Sequence, residues 1–150
     1  MTPGIVTRAD PAKRAMLLTA LYVAQEQYGY LTPEAVERVA DRLGMPPREV
    51  YDTATFYSMF RTKPAGKYVV QVCEGLSCHL AGGAENLLEY LQKQLRIKPG
   101  QTTRDGLFTL VTVQCLAACG SSPAMRVNDT LYDNLTFDQV DLILQELRGG

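Results

Sequence analysis

What this sequence lacks narrows its chemistry before any motif is read. It has one histidine, His79, so no centre that needs two histidine ligands can be built from it. No apolar run approaches the roughly twenty residues of a membrane span. The opening Met1-Thr2-Pro3-Gly4-Ile5-Val6-Thr7-Arg8 lacks the apolar stretch of a secretory leader. Neither sign of charge dominates: 15 Lys and Arg stand against 16 Asp and Glu, a net charge of −1. That argues against a nucleic-acid surface, which needs a basic face. There is no G-x-G-x-x-G turn and no Walker sequence, and Ala81-Gly82-Gly83-Ala84 is too weak a match to either. No nucleophile beside a general base is recognisable, and no internal repeat is visible. The expectation is a soluble, cytoplasmic protein that neither inserts into a membrane nor binds nucleic acid, and that carries something rather than transforming a substrate itself.

What is present centres on four cysteines in two short pairs. The first lies in Val72-Cys73-Glu74-Gly75-Leu76-Ser77-Cys78-His79, spaced C-x4-C. The second lies in Gln114-Cys115-Leu116-Ala117-Ala118-Cys119-Gly120, spaced C-x3-C. Each follows a stretch rich in Val, Tyr and Phe that reads as a strand: Lys67 to Val72, and Leu107 to Val113. Two neighbouring strands would thus deliver four thiolates to one point. Four thiolates can form disulfides, bind zinc, or hold an iron–sulfur cluster. Structural zinc usually takes tighter C-x2-C knuckles. Wider loops suit a [2Fe–2S] rhomb, in which each iron needs its own pair of sulfurs. Reduced thiols fit an intracellular setting. Around the pairs, Gly75, Gly82, Gly83 and Gly120 serve turns and let backbone amides approach sulfur. Ser77, Ser121 and Ser122 offer hydroxyl donors, none singled out by sequence. His79 reads as a loop residue near the site rather than a ligand.

The length of 150 residues and the apolar share of 46% suit one compact domain with an extension. Asp10-Pro11 opens a first helix that Gly29 closes, with Ala15, Leu17, Leu18, Leu21, Tyr22 and Tyr28 on its apolar face. Thr32-Pro33-Glu34 opens a second, in which Val36, Val39, Ala40 and Leu43 form one stripe, ended by Gly44. Pro46-Pro47 opens a third, running to about Phe60. Pro64-Ala65-Gly66 then breaks the chain, dividing a helical domain, 1–66, from a second domain, 67–150. A helix-turn-helix reading of the second and third helices fails because Arg48 is followed by Glu49, Asp52 and aromatics, not by base-reading donors. The third helix instead groups Tyr51, Phe56, Tyr57, Met59 and Phe60. Some of these serve a core, and the cluster also suits a docking surface anchored on Phe60. After the break come strand, cysteine loop, a helix from about Ala84 to Ile97, and the Asp105-Gly106 turn. The second strand and second loop follow, then Pro123 to Val127 and Thr130 to Tyr132 as a hairpin about Asn128-Asp129. A last helix, Phe137 to Leu147, is capped by Thr136, with Phe137, Val140, Ile143, Leu144 and Leu147 inward. The order β-α-β-β-α favours a parallel first pair of strands.

Asp105-Gly106-Leu107-Phe108-Thr109, the second cysteine pair and Pro123 resemble the signature of the family of the 24 kDa subunit of respiratory complex I, the NADH-quinone oxidoreductase. The resemblance extends through Gly29-Tyr30-Leu31 and Val50 to Phe60, and so covers nearly the whole chain. It implies an α/β fold: a thioredoxin-like [2Fe–2S] ferredoxin domain preceded by a small three-helix N-terminal extension. It implies a cluster on Cys73, Cys78, Cys115 and Cys119, a partner flavoprotein subunit holding FMN and NAD, and a place on the peripheral arm of a membrane complex. Diaphorase subunits of NAD-linked hydrogenases and formate dehydrogenases share the module and are the alternative. A structural zinc module for protein binding and a thiol redox sensor are readings of other classes. Two positions depart from the family pattern: Ala117 stands where glycine is usual, and Ser122 where glycine or alanine is usual. A positive backbone angle at 117 would cost more with alanine than with glycine.

Overall fold

The computed structural model describes residues 10–80 and 83–150. The chain divides into two compact units between Pro64 and Ala65. In the first, the described residues form α1 (Pro11–Ala15), α2 (Leu17–Tyr28), α3 (Pro33–Leu43) and α4 (Pro47–Phe56). The single helix expected from Asp10 to Gly29 is therefore two. Asp10 does cap the start, accepting the Ala12 N–H at 3.0 Å. But α1 buries no residue, and at Met16 the N–H turns back to the Lys13 carbonyl at 3.1 Å. With no buried side chain, α1 has no packing that fixes its direction along α2. In α2 the buried residues are Leu17, Leu21, Ala24 and Gln25, while Tyr22 and Tyr28, expected inside, are exposed. Helix α3 follows its sequence: Thr32 accepts the Ala35 N–H at 3.1 Å, Ala35, Val36, Val39 and Ala40 are buried, and Gly44 ends it at φ 63°.

Helix α4 stops at Phe56, short of the expected Phe60, and a buried glutamine explains why. The Gln25 amide donates to the Met59 carbonyl at 3.0 Å, and its carbonyl oxygen accepts the Arg61 N–H at 2.6 Å. Leu31 N–H adds a bond to the Arg61 carbonyl at 2.7 Å. Residues 59–61 are thus bound to α2 and its following loop instead of to α4. This swings Phe60 into the helical core, 7% exposed, with its ring edge-on to Tyr22 at 5.1 Å between centroids. Phe56 stays 80% exposed. The aromatic group that reads as one docking face is split, and Phe60 is core, not an anchor for a partner.

The second unit holds β1 (Tyr68–Cys73), α5 (Leu76–Leu80), α6 (Gly83–Leu95), β2 (Phe108–Val113), β3 (Met125–Val127), β4 (Thr130–Tyr132) and α7 (Phe137–Gly149). The strand order is β2-β1-β3-β4, with β1 and β2 parallel and the other pairs antiparallel. This is the expected β-α-β-β-α order with α5 added inside the first cysteine loop. A parallel pair cannot be joined by a tight turn, so the chain returns through α6. Val70, Val72, Phe108, Leu110 and Met125 meet Leu87 and Leu91 of α6 and Val140 and Leu144 of α7 in one core. Each such side chain stabilises the fold by about 1.5–3 kcal/mol relative to exposure. Strand alternation puts Gln71 and Arg126 on the other face, where they are register partners and Arg126 Nε donates to Gln71 Oε1 at 2.7 Å.

The turns follow their chemistry. Asp105 accepts from the Thr103 hydroxyl and the Leu107 N–H, which hold its carboxyl below the ordinary carboxylate range, and Gly106 takes φ 70°. Asn128 takes φ 51° in the β3–β4 turn, accepts the Val69 N–H at 2.9 Å and donates to the Lys67 carbonyl at 3.1 Å, tying the hairpin to β1. Helix α7 begins in a capping box of Thr136 and Gln139. Phe137, expected inside, is exposed and stacks on Tyr90 at 4.4 Å. In the β2–β3 connection the Ser122–Pro123 bond is cis and Ala117 takes φ 59°.

Two stability changes should follow. Phe60→Ala is expected to cost about 3–5 kcal/mol, whereas Phe56→Ala should fall within about 0.5 kcal/mol of the parent; urea unfolding followed by far-UV circular dichroism measures both. Ala117→Gly is expected to stabilise by about 0–1.6 kcal/mol. Relief of the left-handed conformation is worth about 1–2 kcal/mol, and the greater freedom of unfolded glycine offsets about 0.4–1 of it. A destabilised Ala117→Gly variant in the same titration would show that the alanine methyl makes contacts worth more than the strain.

Candidate metal centre

The parallel register of β1 and β2 ends on the pair Cys73 and Val113. Because the strands run the same way, both cysteine loops leave from one edge of the sheet. The ladder continues one residue further, with Glu74 N–H donating to the Val113 carbonyl at 2.8 Å. On the other side Cys73 N–H donates to the Ala124 carbonyl at 3.2 Å, so the segment after Pro123 also lies against the first cysteine.

Gly75 is where the two loops touch. A Cβ there would sit 2.9 Å from the Gln114 carbonyl oxygen and 3.4 Å from Cys73 Sγ. The first loop then turns into α5, with His79 N–H donating to the Gly75 carbonyl at 3.0 Å, and α5 carries Cys78 inward. Cys73 and Cys78, 2% and 1% exposed, share a small core with Ala84, against which Leu116 of the second loop packs. Cys115 and Cys119 are exposed. A second close approach holds the frame: a Cβ on Gly83, at the start of α6, would meet Pro123 at 2.7 Å. Gly82 lies outside the described residues.

The donor set suits a thiolate-bound cluster. All four thiols are free. Two of the sulfurs accept hydrogen bonds, Cys115 from the Ala117 N–H at 3.3 Å and Cys78 from the Ser122 hydroxyl at 3.3 Å. Among the described residues, no three His, Cys, Asp or Glu side chains gather as a single-ion site. His79 lies at the surface, with its Nδ1 3.5 Å from Glu85 Oε1 of α6. Of the serines, Ser121 donates to Asp133 at 2.6 Å, which leaves Ser122 on the sulfur. Sequence alone offered no signal to separate them, because the choice depends on where the β2–β3 connection turns.

Comparison with known proteins agrees with this arrangement. The family model for thioredoxin-like [2Fe-2S] ferredoxins matches residues 4–148. An NADH-quinone oxidoreductase subunit of Rhizobium meliloti is 42% identical over 140 residues, 93% of this chain and 83% of that protein. NADH-quinone oxidoreductase subunit 2 of Thermus thermophilus is 42% identical over 139 residues, 92% of this chain and 76% of that protein. Among solved structures, an NAD+-reducing [NiFe]-hydrogenase in its air-oxidized state superimposes with a TM-score of 0.76 at 23% identity. The match covers 98% of this chain and 24% of that one, and is a likeness of fold. With the family model spanning almost all of the sequence, and with four free thiols on two loops at one edge of a thioredoxin-like sheet, the chain belongs to the thioredoxin-like [2Fe-2S] ferredoxins.

Proposed function

We propose that this chain is the electron-carrying subunit of an NADH-quinone oxidoreductase, with one [2Fe–2S] cluster on Cys73, Cys78, Cys115 and Cys119. The observation that carries the reading is the meeting of the two cysteine loops at the shared edge of β1 and β2. The names of the relatives described above support the parent complex, and favour it over the hydrogenase and formate dehydrogenase alternatives. The described residues up to Pro64 form the helical unit, and those from Ala65 onward form the unit proposed to bind the cluster. No described helix is long and apolar enough to cross a membrane, and the proposed place is the peripheral arm of the assembly.

When bound, the cluster supplies uptake and release of one electron at a time. The chain's own residues hold it and control access to it. The four thiols give up their protons to become ligands. Ala84 and Leu116 cover Cys73 and Cys78 from water, while Cys115 and Cys119 remain at the surface. Gly75 and Gly83 let backbone and ring approach closely enough to keep the loops together. A hydride from NADH carries two electrons together, so a flavin must divide the pair. The sequence has no phosphate-binding turn for either nucleotide. FMN and the NADH site therefore belong to a partner flavoprotein subunit, which approaches the exposed sulfurs.

Protein purified without oxygen is expected to be brown and to contain iron and acid-labile sulfide in the cluster ratio; stoichiometric zinc without sulfide would establish the zinc module instead. Cys73→Ala and Cys115→Ala should each lose the cluster, since each removes a ligand from a different loop. Full iron content in either variant would overturn the ligand set. The loaded chain alone should not oxidise NADH with an artificial acceptor, and adding the flavoprotein should restore turnover. Equal turnover with and without the flavoprotein would require a nucleotide site on this chain.

A further inference from the structure

We propose that Ser122 is a positioning residue that sets the reduction potential of the bound cluster, by donating its hydroxyl hydrogen bond to the sulfur of Cys78. The inference rests on the ligand set proposed above. Its observations are separate: Ser122 Oγ lies 3.3 Å from Cys78 Sγ, and Cys78 is 1% exposed. Water therefore cannot supply the same bond, and the hydroxyl is the described donor to this atom. The neighbouring hydroxyl, on Ser121, is engaged by Asp133 at 2.6 Å. The position of Ser122 is fixed from both sides. Asn134 N–H holds the Ser121 carbonyl at 2.6 Å, and Leu135 N–H holds the Pro123 carbonyl at 3.2 Å.

The direction of the effect follows from charge. When one electron enters, no bond forms or breaks, the Ser122 proton stays on its oxygen, and the ligand sulfurs become more negative. A hydrogen bond to a sulfur is stronger when that sulfur is more negative. The Ser122 hydroxyl thus favours the reduced form, and hydrogen bonds to the sulfurs are one of the levers that set such potentials. Glycine or alanine, the usual residues here in the resembled family, cannot supply this donor. The bond would give this chain a higher potential than an otherwise identical chain without it.

The test compares Ser122→Ala, Ser122→Gly and Ser122→Thr in the full chain. Iron and sulfide content is measured first, then the midpoint potential by a dithionite titration followed by electron paramagnetic resonance. Ala and Gly are expected to keep their iron and sulfide and to shift the one-electron equilibrium about tenfold toward the oxidised form, about 59 mV lower. Thr, which keeps the hydroxyl, should restore most of the shift. A loaded Ala or Gly variant with the parent's potential would overturn the proposal, as would a Thr variant that behaves like Ala. Loss of the cluster from both Ala and Gly would also overturn it, by making Ser122 a residue that holds the loop. A parent chain that takes up no iron and sulfide is a different result: it removes the ligand set itself.

Discussion

Everything at the metal centre depends on the parallel pairing of β1 with β2. Two cysteine loops far apart in sequence become neighbours only because their strands run the same way and end at the same edge. Strands advance about 3.3 Å per residue and alternate faces. A one-residue slip would therefore carry the second loop past the first and turn every side chain of β2 over. What prevents the slip is ordinary burial. Val70 and Val72 of one strand and Phe108 and Leu110 of the other are all committed to the same core with α6 and α7. The apolar alternation of the two strands works as a ruler for the sulfurs.

Much of this was legible in the residues. The caps at Thr32 and Thr136, the turns at Asp105-Gly106 and Asn128-Asp129, and the crossover between two Val-rich strands all state their structure locally. The features that were not legible depend on distant partners. Gln25 is a polar residue on a helix, and nothing near it in sequence reveals that it satisfies the backbone of residues 59 and 61. Once it does, α4 must stop early and Phe60 must turn inward. The five residues of α5 are too few for a helical period to be recognised. Exposed aromatics such as Tyr22 and Phe137 look like core because their burial is decided by what faces them, not by their own hydrophobicity. At the site, the loops and their cysteines could be read, but the partner of each serine hydroxyl could not.

Amide and guanidinium groups with little access to water supply what apolar packing cannot. Gln25 and the Gln71–Arg126 pair each join segments far apart in sequence, and both glutamines are buried. Leaving one such partner unsatisfied costs about 1–3 kcal/mol, more than a typical hydrogen bond adds when made. These groups therefore discriminate among alternative chain paths more strongly than they contribute to total stability. Ala117 acts in the opposite sense: it accepts a backbone conformation that glycine would take freely, and its own N–H is aimed at Cys115 in that conformation.

The unequal burial of the two cysteine pairs has a consequence for quality control. Oxidants and alkylating agents reach thiols that solvent reaches, so in a chain that has not received its metal they meet Cys115 and Cys119 first. Cys73 and Cys78 are part of the packing around Ala84, and the outer pair is not. Damage to the outer sulfurs leaves the core contacts intact. A chain spoiled in this way would keep the shape that chaperones and proteases inspect, while having lost half of the ligands it was folded to present.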